Sequence, residues 1–291
     1  MQAFIRLLRP SQWLKNAFVF APLIFSKHLF DRTYVITALV AFVAFSLISS
    51  TVYIINDIVD KEADKLHPIK KERPIASGKI LPVTASGIAT IIFSVGLYLS
   101  QVLPLMFTGI LLLYFILQLF YSFKLKHIVI LDVFVIAAGF MLRVLSGAVA
   151  INVVISHWII ICTLFLSLFL AVSKRRSELV LISTNNIETK RKVLNEYDVN
   201  FLNLVLVITA TGMAISYSLY TMAERTIATF GTEYLIFTTV FVLFGIFRYL
   251  YLVINKGLGE NPNAIIVRDG PMAINIVLYL LSVLFIIYFA K

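Results

Sequence analysis

Among 291 residues the chain has a single cysteine, Cys162, and only 14% of its positions carry charge. One cysteine inside an apolar run excludes a disulfide framework and a cysteine metal site, and reads as a small buried hydrophobe. So little charge, set against 60% hydrophobic residues, excludes an ordinary soluble domain. The chain instead holds many runs of the ~20 apolar residues that a bilayer-spanning helix needs. The alternating ten-residue segments of an outer-membrane barrel are missing. So are a low-complexity linker and a cleavable signal, because Met1 to Pro10 is a short amphipathic stretch that Pro10 interrupts before any long apolar run. That stretch is expected at the cytoplasmic interface. Acids are scarce as well, 15 against 25 lysines and arginines. The basic residues stand beside the apolar runs rather than on a separate domain, so they point to an anionic membrane surface and anionic substrates, not to nucleic acid.

What is present is an all-α polytopic membrane protein, expected as a single domain over residues 1–291. Nine spans are predicted, at 16–31, 34–56, 84–101, 104–123, 129–150, 155–173, 200–222, 232–254 and 272–290. Two longer connections remain, 57–83 and 174–199, four helices apart, as a duplicated bundle with two loops capping one central cavity would give. Lysines and arginines crowd the N-terminal segment, both of these loops, Lys124, Lys126, Lys256 and Arg268, whereas the opposite connections carry few, such as Lys27, Arg32 and Arg225. The positive-inside rule then puts the N-terminus and both loops in the cytoplasm and the C-terminus outside the plasma (inner) membrane.

The first loop opens on Asn56-Asp57-Ile58-Val59-Asp60-Lys61-Glu62-Ala63-Asp64. Asp57, Asp60 and Asp64 are spaced i, i+3, i+7, so a helix presents them on one face. They are either ordinary solvated charges at a helix end or, sharing that face with Asn56 at the membrane boundary, ligands for a hard divalent cation. Mg2+ takes such oxygens and keeps positions for substrate phosphates. The same loop continues into a basic tail in which Lys70 and Arg73 are placed to hold phosphate oxygens, and His67 reads as structural. The second loop opens Ser173-Lys174-Arg175-Arg176-Ser177-Glu178, three cations where the first has three carboxylates. They serve topology, or they form the cationic half of a two-anion site.

Arg143 and Arg248 fall inside predicted spans, where a charge costs about 2.5–3.5 kcal/mol on insertion scales. Arg143 is expected to face a polar cavity, too far along its helix from Asp132 to pair with it. Arg248 either does the same or snorkels to the interface. Tyr121 and Lys126 belong to an interfacial set between two spans, where an aromatic belt is the alternative for Tyr121.

The run Asn56-Asp57-x-x-Asp60-x-x-x-Asp64 resembles the first aspartate motif of the UbiA superfamily of intramembrane prenyltransferases. Arg9-Pro10-x-Gln12-Trp13-x-Lys15-Asn16, the stretch from Asn56 to Gly78 with His67-Pro68-x-Lys70-x-x-Arg73-Pro74, and Lys174-Arg175-x-x-Glu178-Leu179 resemble the branch of that superfamily that acts on polyprenyl phosphates. Quinone-type members carry a second aspartate-rich motif in the later loop, and here that place holds one acid, Glu178.

The resemblance implies nine helices with two catalytic cytoplasmic loops. It implies transfer of a 5-phosphoribosyl group from phosphoribosyl diphosphate to a polyprenyl phosphate, with Mg2+ as cofactor. In that scheme Asp57 and Asp60 bind the metal with Asp64 nearby, and Asn56 and Tyr53 orient the donor. Lys15, Lys70, Arg73, Tyr121, Lys126, Lys174 and Arg175 contact the substrates, and Arg143 holds charge deep in the cavity. Quinone or aromatic prenyl transfer is the alternative within the fold, anion transport the alternative outside it, and assembly into a homo-oligomer is left open.

Overall fold

The computed structural model describes residues 2–66, 70–185, 192–259, 265 and 268–290; His67 and Pro68 lie outside them. Every described element is helical. In chain order these are α1 (Gln2–Leu8), a 3-10 helix (Pro10–Phe20), α2 (Ala21–Phe25), α3 (Arg32–Val59), α4 (Lys61–Lys65), α5 (Pro82–Ser100) and α6 (Leu105–Phe123). There follow α7 (Leu131–Ala150), α8 (His157–Asn185), α9 (Val199–Met222), α10 (Glu224–Phe230), α11 (Thr239–Asn255) and α12 (Gly270–Tyr288). Short 3-10 turns lie at Lys70–Glu72, Leu125–His127, Lys192–Glu196 and Tyr234–Thr238. Asp31, Asp198 and Asp269 cap α3, α9 and α12 by accepting bonds from first-turn amides.

Among the described residues, eight helices are long and apolar enough to cross a membrane. They match eight of the nine predicted spans. The ninth, 16–31, is corrected in its winding and its end: its first part is the 3-10 helix and its second the five-residue α2, which stops at Phe25. Pro22 has no amide hydrogen with which to continue an α ladder back to Phe18, and the Ala21 amide bonds Phe18 in the tighter i to i−3 pattern. A second correction concerns the predicted loop 174–199. The helix α8 runs on to Asn185, so Lys174, Arg175 and Glu178 stand on a helix. Leu179 and Ile182 continue its packed face, and Glu178 pairs with both Lys174 and Arg175 one turn back.

Two compact units form. The first comprises 1–24, 28–123 and 142–154, the second 25–27, 124–141 and 155–291. In the first, Ala41, Ala44, Phe45 and Ile48 of α3 pack with Phe107, Leu111 and Tyr114 of α6. Small residues permit this closeness, as is usual between membrane helices. At Gly147 a Cβ would lie 2.0 Å from the Val19 carbonyl oxygen, so α7 meets the 3-10 helix backbone to backbone. In the second unit, Val172 of α8, Leu206 of α9 and Tyr249 and Val253 of α11 share a core. Outward-facing positions stay apolar, with Val83 and Leu105 each 83% exposed, as a hydrocarbon surround requires.

Candidate active site

In the first unit a polar stripe runs along one face of α3 through Ser46, Ser49, Ser50, Tyr53 and Asp57, at helical spacing. The 3-10 helix is fastened to it. Trp13 Nε1 donates to Ser50 Oγ at 3.0 Å, and Asn16 Nδ2 lies 3.0 Å from both Ser46 Oγ and Ser49 Oγ. Asn16 Oδ1 accepts from Arg143 Nε at 2.8 Å, while Arg143 Nη2 donates to Tyr114 OH at 2.9 Å. The guanidinium also lies over the rings of Phe45 and Tyr114, 5.2 and 4.8 Å from their centroids. Arg143 therefore does sit in a polar pocket of side chains, as its position inside a span implies. Lys15 is half-buried and within repulsive range of Arg143 and Arg9, so this face gathers positive charge.

The carboxylates lie at the other end of the stripe. Asp57 is buried in the last turn of α3, half-buried Asp60 is the joint, and buried Asp64 belongs to α4. Amide bonds from Asp60 to the Asn56 carbonyl and from Asp64 to the Asp60 carbonyl carry the helical path through the joint. Arg73 Nη1 bonds Asp57 Oδ1 at 3.1 Å and Asp64 Oδ2 at 2.6 Å, so one nitrogen gathers two of the three predicted acids. Buried Ile75, packed on Leu7 and Ile54, holds the segment that carries Arg73 against α3. Arg9 also bonds Asp57 Oδ1, and its guanidinium lies 5.3 Å from the Tyr53 ring centroid. Lys70 is exposed on its 3-10 turn, and Tyr121 and Lys126 are half-buried at and beyond the end of α6.

No group of three His, Cys, Asp or Glu side chains among the described residues forms a ready metal centre. The donor chemistry still fits a hard cation. Two carboxylate oxygens converge on one positively charged atom, and the neighbouring Asn56 Oδ1 is buried with no hydrogen-bond partner among the described residues. Asp57, Asp64 and Asn56 could thus supply oxygen ligands, with Asp60 beside them.

In the second unit the predicted phosphate contact Arg175 is buried and engaged within the protein. Its Nε bonds Asp132 Oδ2 at 2.5 Å and its Nη1 bonds Glu178 Oε2 at 2.6 Å. Arg176 bonds Asn203 and the Val253 carbonyl. Lys174 is the more exposed of the three cations, near Glu178 at 3.8 Å. Arg248 does not stand alone: it forms a two-pronged pair with Asp269, the cap of α12, at 3.0 and 2.7 Å. Sequence reasoning did not single out Arg9, Asn16, Tyr114, Asp132 or Tyr197. For Arg9 and Asn16 the signal was available in the Arg9-to-Asn16 motif.

Described elements that are all helical, eight of them long and apolar enough to cross a membrane, with a polar, charge-rich face at the end of one, define a multi-pass membrane protein. Residues 17–267 match the UbiA prenyltransferase family, and the chain belongs to that family. A Mycolicibacterium smegmatis protein named decaprenyl-phosphate phosphoribosyltransferase is 31% identical over 100% of this chain and 94% of its own length. A Corynebacterium glutamicum protein of the same name is 37% identical over 74% of this chain and 66% of its own length. The solved structure of a UbiA homolog from Archaeoglobus fulgidus bound to GPP and Mg2+ superposes with a TM-score of 0.72 at 18% identity, covering 98% of this chain and 99% of its own. That likeness shows the fold.

Proposed function

We propose that this transferase moves a 5-phosphoribosyl group from phosphoribosyl diphosphate to a polyprenyl phosphate. The bond from the anomeric carbon to diphosphate breaks, a bond to a lipid phosphate oxygen forms, and diphosphate leaves with the electron pair. The observation that carries the reading is the 31% identity, along the whole chain, to a protein named for this reaction. The single acid, Glu178, at the place of the second aspartate motif supports it against prenyl transfer.

Asp57, Asp60 and Asp64, with Asn56, would hold Mg2+, which when bound neutralises charge on the departing diphosphate. Arg9, Arg73 and Lys70 are the candidates for its remaining oxygens, and Tyr53 would steady the donor. Lys15 and Arg143 would supply positive potential along the face of α3. Lys126 and Lys174 are the candidates for the acceptor phosphate, with Tyr121 at the membrane boundary. Arg175 would act on Lys174 indirectly, through Glu178. The nucleophile is already an oxyanion at neutral pH, so no histidine or cysteine base is needed. Residues 1–291 would work as one domain in the plasma membrane, with the N-terminus cytoplasmic and the C-terminus outside.

The experiment is incubation of purified protein with radiolabelled phosphoribosyl diphosphate and a polyprenyl phosphate, beside a prenyl diphosphate with an aromatic acid. Labelled lipid in the first mixture alone is expected. Turnover in the second alone would replace the proposal with prenyl transfer.

A further inference from the structure

Asp57 Oδ1 is shared by two guanidiniums, from Arg9 and Arg73, and Arg73 reaches across to Asp64 as well. The burial is graded: the Asp57 and Asp64 side chains are 2% and 6% exposed, those of Arg9 and Arg73 22% and 28%. The cations therefore cover the carboxylates on the solvent side. Arg9 is held there at a conformational cost, because it adopts φ 51 and ψ 58, a left-handed conformation that is rare for a side-chain-bearing residue and poorly suited to the position before a proline. Such strain persists where the surrounding structure imposes it.

The charge balance decides what can enter. Three carboxylates and two guanidiniums sum to one negative charge. A bare divalent ion would leave a net positive charge with three cations crowded on shared oxygens. An ion arriving with a diphosphate brings the anion that the two guanidiniums can take in exchange.

We propose that Arg9 and Arg73 are exchange counter-ions. They hold Asp57 and Asp64 together, and as a metal–diphosphate pair enters they pass the carboxylates to the metal and turn to the phosphate oxygens. Metal and diphosphate then bind cooperatively, each raising the affinity for the other by the same factor. This rests on the metal-dependent donor site proposed above and adds to it a specific order of charge exchange.

The test is Mn2+ binding to the detergent-purified full chain, followed by electron paramagnetic resonance, with and without inorganic diphosphate, for wild type, Arg73→Gln, Arg9→Gln and Asp57→Asn. Wild type is expected to bind Mn2+ weakly alone and at least ten-fold more tightly with diphosphate. Arg73→Gln should bind Mn2+ at least ten-fold more tightly than wild type in the absence of diphosphate and gain less when it is added. Arg9→Gln should shift in the same direction, which keeps the test intact if Arg73→Gln melts before it can be measured. Equal Mn2+ affinity of wild type and both arginine variants without diphosphate would overturn the exchange while leaving the metal site standing. Should wild type hold no Mn2+ that Asp57→Asn removes, even with diphosphate, the metal-dependent donor site falls and takes the exchange with it.

Discussion

Tyr197 donates its hydroxyl to Asp132 Oδ1 at 2.7 Å, joining two segments 65 residues apart. The Tyr197 hydroxyl oxygen in turn accepts the Ile130 amide at 2.7 Å, and Ile130 stands at φ 68, an outlying conformation for a β-branched residue. One hydroxyl thus holds the strained entry to α7, while Arg175 occupies the other oxygen of Asp132. Tyr197→Phe leaves a buried carboxylate oxygen and a strained amide short of a partner. It should destabilise the protein by about 1–3 kcal/mol, read as an earlier thermal transition in detergent. An unchanged transition would mean that the strain is held elsewhere.

At the acid cluster, Asp60→Asn is the cleanest perturbation, since half-buried Asp60 can change without stranding the arginines that Asp57 and Asp64 hold. Turnover should fall by about 100-fold or more, the scale set by losing one preorganised charge at a reacting centre. The melting temperature should stay within a few degrees of wild type. Near-normal turnover at saturating Mg2+ would remove Asp60 from the site.

Asn16 links the 3-10 helix, the serines of α3 and Arg143 in one network. Asn16→Ala takes the acceptor from Arg143 Nε and the donor from two buried hydroxyls. A loss of about 1–3 kcal/mol of stability is expected, together with lowered activity that Asn16→Asp, which keeps an acceptor, partly restores. Equal effects of the two substitutions would argue against the Arg143 contact.

Asp269 supplies an acid-range prediction. Its hydrogen bonds from Arg248, and secondarily from the Met272 amide, hold its carboxyl below the usual carboxylate range. A depressed folded-state value stabilises the fold above the ordinary aspartate value of about 3.9 and loses that contribution as pH falls through it. Melting curves below about pH 4 should therefore drop less steeply with pH for Asp269→Asn than for wild type. Parallel curves would mean that the pair contributes nothing measurable.

The eight long crossings and the pairing of Asp57 with Asp64 were legible in the sequence, because both depend on periods of a helix within a few turns. The winding of the first predicted span was not, since an apolar run reads the same whether wound as a 3-10 or an α helix. Nor was the continuation of α8, whose Lys174-Arg175-Arg176 run looks like a loop until the ion pairs with Glu178 and Asp132 are seen. The partners of Arg143 and Arg175 lie 127 and 43 positions away in Asn16 and Asp132, and no local pattern reports such separations.

The most direct test of phosphoribosyl transfer is to count diphosphate against product. Wild-type protein supplied with phosphoribosyl diphosphate, a polyprenyl phosphate and Mg2+ should release one inorganic diphosphate for each phosphoribosyl lipid formed, and neither should appear with Asp60→Asn or without the lipid phosphate. Diphosphate released with no lipid product, or lipid modified without diphosphate release, would contradict it.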